Sequence, residues 1–243
     1  MPRLGRWRLI VDREPRRGAD GAAPQDIAYR TDLGKEEVAR QYVLERPGEG
    51  MAFLDVGARD GRLEYLLGVR SNLDFDAAMH ERNLARFQAK YEYFGLDLDP
   101  EEAPNVLQAD LCEEDLPIVA EYRERFDVVY SNNVFEHLRR PWIAARHILE
   151  MVKPGGTIIT IAPFALRYHA VPGDYFRYTH EGLTALFADQ GEVEELVSGY
   201  DTAGRRMNWQ GQGTHSDLVP EDHFGAWRET WFTINVLRKG DRA

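Results

Sequence analysis

Three aspartates stand where short apolar runs end. Asp55 lies in Leu54-Asp55-Val56-Gly57, Asp97 closes Phe94-Gly95-Leu96-Asp97, and Asp110 follows Asn105-Val106-Leu107-Gln108-Ala109. An ionised carboxylate only accepts hydrogen bonds, so each acid suits a ligand group that donates them. Asp55, just ahead of a turn, suits an ammonium group. Asp97 suits the two hydroxyls of a ribose, the role an acid takes at a strand end in nucleotide-binding sheets. Asp110 suits the amino group of an adenine. Gly57 lets the backbone turn tightly beside a ligand, and Gly61 lets the following helix pack near the strand. The second glycine of a G-x-G-x-x-G dinucleotide motif is replaced by Arg59, and Asp55 and Asp60 would repel a diphosphate. The set describes an adenosine pocket without a phosphate site.

A second concentration of chemistry lies at 163–180, Pro-Phe-Ala-Leu-Arg-Tyr-His-Ala-Val-Pro-Gly-Asp-Tyr-Phe-Arg-Tyr-Thr-His. An imidazole with a pKa near 6.5 can take a proton at neutral pH. His169 is the first candidate base and His137 the second, although His137 also reads as a packing residue at a helix start. Tyr175, Arg177 and Tyr178 are candidate substrate contacts. The alternative is a structural loop in which Asp174 ties to Arg177 and Thr179 caps the next helix. His169, Asp174 and His180 lack a recognised ligand spacing, so no metal is expected. His215, Asp217, Asp222 and His223 read as a solvated lid. Trp209, with Trp227 and Trp231, either walls a substrate pocket or packs as satellite core, and Trp209 is taken as the substrate candidate. Cys112 reads as an inert small apolar residue.

The elements that must position these groups follow from the hydrophobic pattern. Met51–Val56 is too short for a helix and reads as a buried strand. Further strands are expected at 93–97, 105–109, 126–130, 157–161, 192–197 and 230–237. Helices are expected at about 31–45, 62–69, 70–90, 141–152 and 180–190, with Pro141 in the first turn of one and Lys153-Pro154-Gly155-Gly156 ending it. Alternating strands and helices imply a mainly parallel sheet covered on both faces, and the last two strands an antiparallel pair. Residues 1–30 form a basic arm and linker, carrying Arg3, Arg6, Arg8, Arg13, Arg16 and Arg17. Residues 31–243 form one domain, with a polar, glycine-rich insertion at about 198–228.

Composition narrows the function classes. The 243 residues carry 41 Asp+Glu against 30 Lys+Arg, a formal charge of -11. That field argues against nucleic acid as the partner. No apolar run approaches the ~20 residues of a membrane span. A single cysteine excludes an internal disulfide and fits a reducing, cytoplasmic setting. The expected partner is a small molecule, and the oligomeric state is left open.

The sequence resembles the class I S-adenosylmethionine-dependent methyltransferases, in particular the type 11/12 small-molecule branch. The resemblance is carried by Leu54-Asp55-Val56-Gly57 with Gly61, Gly95-Leu96-Asp97, Ala109-Asp110-Leu111, and Phe126-Asp127-Val128-Val129-Tyr130-Ser131-Asn132-Asn133-Val134-Phe135-Glu136-His137-Leu138 with Val152-Lys153-Pro154-Gly155-Gly156. It runs from about residue 50 to 165. The 163–180 segment is similar to an H-x-x-P-x-D-Y-(W/F)-R-(F/Y)-T stretch of bacterial type 11 enzymes. The resemblance implies a Rossmann-like, doubly wound, seven-stranded mainly parallel sheet with an antiparallel last strand. It implies S-adenosylmethionine as cofactor and methyl transfer to an O or N of a small molecule or sugar-containing metabolite. Asp55 and Gly57 would meet the methionine and ribose parts, Asp97 the ribose hydroxyls, and Ala58, Gly61 and Leu98 would also bind the cofactor. Asp110 and Leu111 would flank the adenine, and Ser131, Asn132 and Asn133 would line the methionyl side. Arg59 departs from the usual turn glycine, and the gap from Gly61 to Asp97 is long. Three other functions remain open: a catalytically silent cofactor-binding module, an RNA methyltransferase, and other cofactor-assisted chemistry such as cyclisation.

Overall fold

Every residue of Met51–Val56 (β1) is buried, which a strand permits only where both faces of its sheet are covered. Successive side chains point to opposite faces. Phe53 therefore packs with Phe87, Tyr91 and Tyr130 on one side, while Leu54 and Val56 pack with Val129, Phe135 and Ile148 on the other. The computed structural model describes residues 34–68, 75–100, 103, 105–166, 168–170, 172–201, 206–207 and 229–241.

The remaining strands are Tyr91–Asp97 (β2), Val106–Gln108 (β3), Phe126–Asn132 (β4), Val152–Ala165 (β5), Val193–Tyr200 (β6), Arg206–Met207 (β7) and Glu229–Lys239 (β8). They lie in the order β3-β2-β1-β4-β5-β8-β6, and β7 pairs with β8 off this path. β1 pairs parallel with β2 and with β4. β8 runs antiparallel to both β5 and β6. The fold is a Rossmann-like, doubly wound α/β sheet, mainly parallel, in which the last strand is antiparallel. The antiparallel pairing expected of the last two long strands holds, and β8 additionally inserts between β6 and β5.

Helices cover both faces. Lys35–Ala39 (α1), continued by a π-helical turn over Arg40–Leu44, joins Glu64–Leu67 (α2) and Ala77–Gln88 (α3) on the Phe53 side. Pro117–Glu121 (α4), Pro141–Met151 (α5) and His180–Ala188 (α6) cover the Leu54 side. Local sequence sets the helix starts. The Asp76 side chain accepts from Met79 N at 2.8 Å to begin α3, and Thr179 Oγ1 accepts from Gly182 N at 3.0 Å to begin α6. Each cap contributes about 1 kcal/mol.

Three expected boundaries move. The helix expected over 70–90 is α3, which ends at Gln88, so Tyr91 opens a strand instead. The helix expected over 62–69 is the single turn α2. Lys153-Pro154-Gly155-Gly156, expected as a stop between elements, lies within β5. The pairing of β4 with β5 shifts register there, between Phe126 and Val128, and Gly155 takes φ +69. The glycines thus form an irregularity inside a strand.

Strand order reverses between β1 and β4, each of which has its sequence neighbour on the far side. In open α/β sheets ligands bind outside the carboxyl ends of the strands at such a point.

Candidate functional site at the strand-order reversal

The first half of the site is the turn after β1. Gly57 adopts φ +79, a region open to glycine at little cost. A Cβ there would come within 2.2 Å of Val134 Cγ2, so the turn also presses against the loop after β4. Gly57 N and Ala58 N both donate to Leu96 O, at 2.8 and 3.2 Å, and Gly61 N donates to Ala58 O at 2.8 Å. Arg59 takes the left-handed conformation, φ +48, that a glycine would adopt more easily. Its amide compensates by donating to Asp97 Oδ2 at 2.8 Å. Asp99 N donates to Asp97 Oδ1 at 3.0 Å. Each Asp97 oxygen is thereby oriented by one backbone amide and keeps a lone pair for a ligand donor.

Asp55 is buried, and Tyr93 Oη donates to its Oδ2 at 3.2 Å. Burial pushes its carboxyl up to about 7; the Tyr93 hydroxyl opposes this, and Asp97 and Asp60 reinforce it. A cation placed beside Asp55 would reverse the shift. Asp110 Oδ1 accepts from Cys112 N at 2.8 Å, fixing the turn after β3. Leu111 and the free thiol of Cys112 are buried, whereas Leu98 is 48% exposed. At the end of β4, Ser131 Oγ, Asn132 Oδ1 and Asn133 Oδ1 are buried and have no hydrogen-bond partner among the described residues. Asn133 turns the chain at φ +57. A groove of about 630 Å3 runs along β2 and β3 and touches this turn only at Asp60 and Gly61. It includes none of Asp55, Asp97 or Asp110 and is not the site.

The second half lies on the loops after β4 and β5. A 3-10 turn, Phe135–His137, follows the β4 exit. It buries Glu136 completely, and among the described residues no side chain hydrogen-bonds either carboxylate oxygen. Burial pushes the Glu136 carboxyl up to about 7, with Arg177 and Lys35 opposing. His137 Nε2 lies 3.7 Å from Glu136 Oε1, and His169 Nε2 lies 3.9 Å from the same atom. The two rings meet edge to face, 4.9 Å between centroids. His137 Nδ1 donates to Gly173 O. His169 N donates to Asp174 Oδ2 at 2.8 Å, and His169 Nδ1 lies 3.2 Å from that same oxygen.

Asp174 is the anchor of this loop. Its side chain is 1% exposed and paired to Arg177 Nη1 and Nη2. Burial opposes ionisation, but the Arg177 guanidinium and the His169 amide outweigh it and hold the carboxyl at about 2. Two of the expected substrate contacts have partners within the protein. Arg177 also donates to Leu166 O and Phe176 O, so its guanidinium holds the loop. Tyr178 is buried in the core, its hydroxyl donating to Phe135 O at 3.0 Å. Tyr175 remains 51% exposed on this loop, and its amide donates to Glu136 O at 2.7 Å. Trp209 and the group His215, Asp217, Asp222 and His223 lie outside the described residues, as does the basic arm.

The family described as a methyltransferase domain matches residues 30–229. The chain belongs to this methyltransferase-domain family. No curated protein matches the sequence. Solved structures do match the fold. A chain from the complex of the Haloferax volcanii Trm112 methyltransferase activator is 16% identical with a TM-score of 0.52, over 86% of this chain and 91% of that one. The [4+2]-cyclase SpnF is 13% identical with a TM-score of 0.54, over 85% and 81%. YcgJ from Bacillus subtilis is 12% identical with a TM-score of 0.51, over 85% and 97%. At these identities the likeness is one of fold. Among the described residues of this methyltransferase domain, no helix is long and apolar enough to cross a membrane.

The sequence reading of the domain passed over two residues. Glu136 stands next to the candidate base His137 yet gives no local sign of being buried. Lys35 is buried, stacks at 3.7 Å over the Phe232 ring, and is pushed down to about 8 by burial, with Asp201 and Glu136 opposing. A lysine opening a helix ordinarily reads as solvated. Only the packing of α1 against β8 reveals it.

Proposed function

We propose that this protein is an S-adenosylmethionine-dependent methyltransferase acting on an O or N of a small molecule or a sugar-containing metabolite. The observation that carries the cofactor is the Asp97 carboxylate, held by the amides of Arg59 and Asp99 beside the buried Asp55 at the strand-order reversal. In this reading Asp97 takes the ribose hydroxyls and Asp55 the methionyl ammonium, which favours its ionised form. Gly57, Ala58 and Gly61 let the backbone pass close to the cofactor. Leu98, Asp110 and Leu111 flank the adenine. Ser131, Asn132 and Asn133 line the methionyl side, a role supported by buried polar atoms without a partner among the described residues.

The acceptor approaches from the loops after β4 and β5, with Tyr175 and Trp209 contacting it. Its lone pair attacks the sulfonium methyl in line. The methyl–sulfur bond breaks, its electron pair stays on sulfur, and the product is S-adenosylhomocysteine. Alignment and exclusion of water supply several kcal/mol of the barrier reduction. A hydroxyl acceptor must also lose its proton. The Glu136, His137 and His169 cluster is the place for that step, with His169 the first candidate acceptor of the proton and His137 the second. The formal charge of -11 supports a small-molecule acceptor over a nucleic acid.

Calorimetry with S-adenosylhomocysteine tests the reading. Saturable binding is expected, and no binding at millimolar ligand rejects it. Release of S-adenosylhomocysteine from S-adenosylmethionine in the presence of hydroxylated or amino metabolites separates an enzyme from a silent cofactor-binding module.

A further inference from the structure

We propose that Glu136, His137 and His169 form a site for one divalent first-row transition-metal ion that binds an oxygen of the methyl acceptor. The proposal rests on the preceding reading for the position of the acceptor. The ion site itself rests on geometry. One ligand atom from each of the three residues lies within 4.8 Å of the others. Glu136 Oε1 is 3.7 Å from His137 Nε2 and 3.9 Å from His169 Nε2. Metal–ligand bonds of about 2.05 Å in a tetrahedron put neighbouring ligand atoms about 3.3 Å apart. The two Glu136–histidine distances need to close by roughly half an ångström around an ion, and the widest separation in the cluster, up to 4.8 Å, by up to about 1.5 Å.

The groups behind the ligands point the same way. A histidine that binds a metal through one ring nitrogen generally donates the other N–H to a carboxylate or a carbonyl. His137 does so to the Gly173 carbonyl, and His169 Nδ1 lies 3.2 Å from Asp174 Oδ2. The Gly173 carbonyl can only accept, so His137 Nδ1 carries the proton and Nε2 presents a lone pair toward Glu136. Asp174, held ionised by Arg177, sets His169 in the same tautomer. Glu136 is fully buried, and among the described residues no side chain donates a hydrogen bond to its two oxygens. An unsatisfied buried carboxylate is costly, and a cation removes that cost. Two imidazoles and one carboxylate leave coordination positions open, which is the arrangement of catalytic zinc and non-haem iron sites.

The ion specifies the acceptor class. A metal-bound hydroxyl is far more acidic than a free one, so the acceptor binds through oxygen and the product is a methyl ether. The proton leaves the ion-bound hydroxyl for water, the oxygen attacks the methyl carbon, and the electron pair of the carbon–sulfur bond goes to sulfur. With the ion in place both Nε2 lone pairs are committed to it, and the metal takes over the proton step from His169.

Cobalt(II) titration of the tag-free full chain tests this. Cobalt–imidazole absorption should saturate at one ion per chain. His169→Ala and Glu136→Gln should each weaken binding by about tenfold or more, and thermal melts check that each variant folds. Asp174→Asn, behind the ligand, should weaken it by about tenfold. Should Glu136→Gln fail to fold, His169→Ala decides alone, since its side chain is on a loop and 33% exposed. Absence of stoichiometric binding, or equal binding by wild type and His169→Ala, overturns the proposal. S-adenosylhomocysteine calorimetry on the same samples keeps the two readings apart. Cofactor binding without cobalt binding overturns only the metal site, and cobalt binding without cofactor binding overturns the methyltransferase reading on which its role depends.

Discussion

The two halves of the site are built differently. On the β1–β3 side, Asp97 and Asp110 are oriented by backbone amides, those of Arg59, Asp99 and Cys112. On the β4–β5 side, Glu136, His137 and His169 face one another through side chains, and Asp174, Arg177 and the Gly173 carbonyl hold them from behind. Amides follow wherever the strand ends go, so the first half is as rigid as the sheet. The second half depends on a loop held largely through side chains, with the Asp174–Arg177 pair at its centre. A half tied to the backbone suits a ligand common to a whole family, and a half tied through side chains can be altered residue by residue for a particular acceptor.

The largest expected effect separates the halves directly. His169→Ala should lower turnover by about 10²-fold or more, the size of a lost proton-transfer or metal-ligand group, while S-adenosylhomocysteine affinity stays within about twofold of wild type by calorimetry. A parallel loss of affinity would mean that the halves are one unit. The converse variant is Asp97→Ala, which should weaken S-adenosylhomocysteine binding by about 10- to 100-fold through lost charged hydrogen bonds. Unchanged affinity would remove Asp97 from the ribose.

Asp174→Asn probes the anchor. It should cost about 1–2 kcal/mol of stability, because Arg177 loses a charged partner. The pH dependence follows from a depressed folded-state pKa. The stabilisation is present above the unfolded value of about 4 and is lost as pH falls through about 2. The melting-temperature gap between wild type and variant should therefore narrow on acidification below about pH 4, and a gap independent of pH would deny the ion pair its role.

The last comparison is made at Asp55. Its folded-state pKa is raised to about 7, so its stabilising contribution is full below about pH 4 and lost as pH rises through 7. Without cofactor, Asp55→Asn should melt above wild type at pH 8, by a margin that shrinks steadily toward pH 4. With S-adenosylhomocysteine at pH 8 the order should reverse, since the bound ammonium favours the wild-type carboxylate. A variant that stays ahead in ligand would detach Asp55 from the ammonium.

The difference between the halves also explains what could be read in advance. Glycine turns and acids at the ends of apolar runs are local patterns, and a parallel strand buried on both faces shows itself as a continuous run such as Met51–Val56. The turn at Arg59 was legible as a departure from glycine, but not its compensation, because the amide partner Asp97 lies 38 residues away. At 163–180 the residue types were legible and their roles were not. Arg177 and Tyr178 have the chemistry of substrate contacts, and the structure uses one as a clasp and the other as core.

By itself the amino-acid order determined the alternation of strands and helices, the parallel sheet, the turn after β1 and the acids at the ends of β1, β2 and just beyond β3. Those depend on side-chain periodicity and on residues within a few positions of one another. Only the tertiary structure decided that Glu136 is buried between two imidazoles, that Lys35 lies under the last strand, and that β8 inserts between β5 and β6. Burial and charge are properties of what surrounds a residue. For Glu136 those surroundings come from 33 residues further along the chain, at His169, and for Lys35 from the far end of the chain, at Phe232.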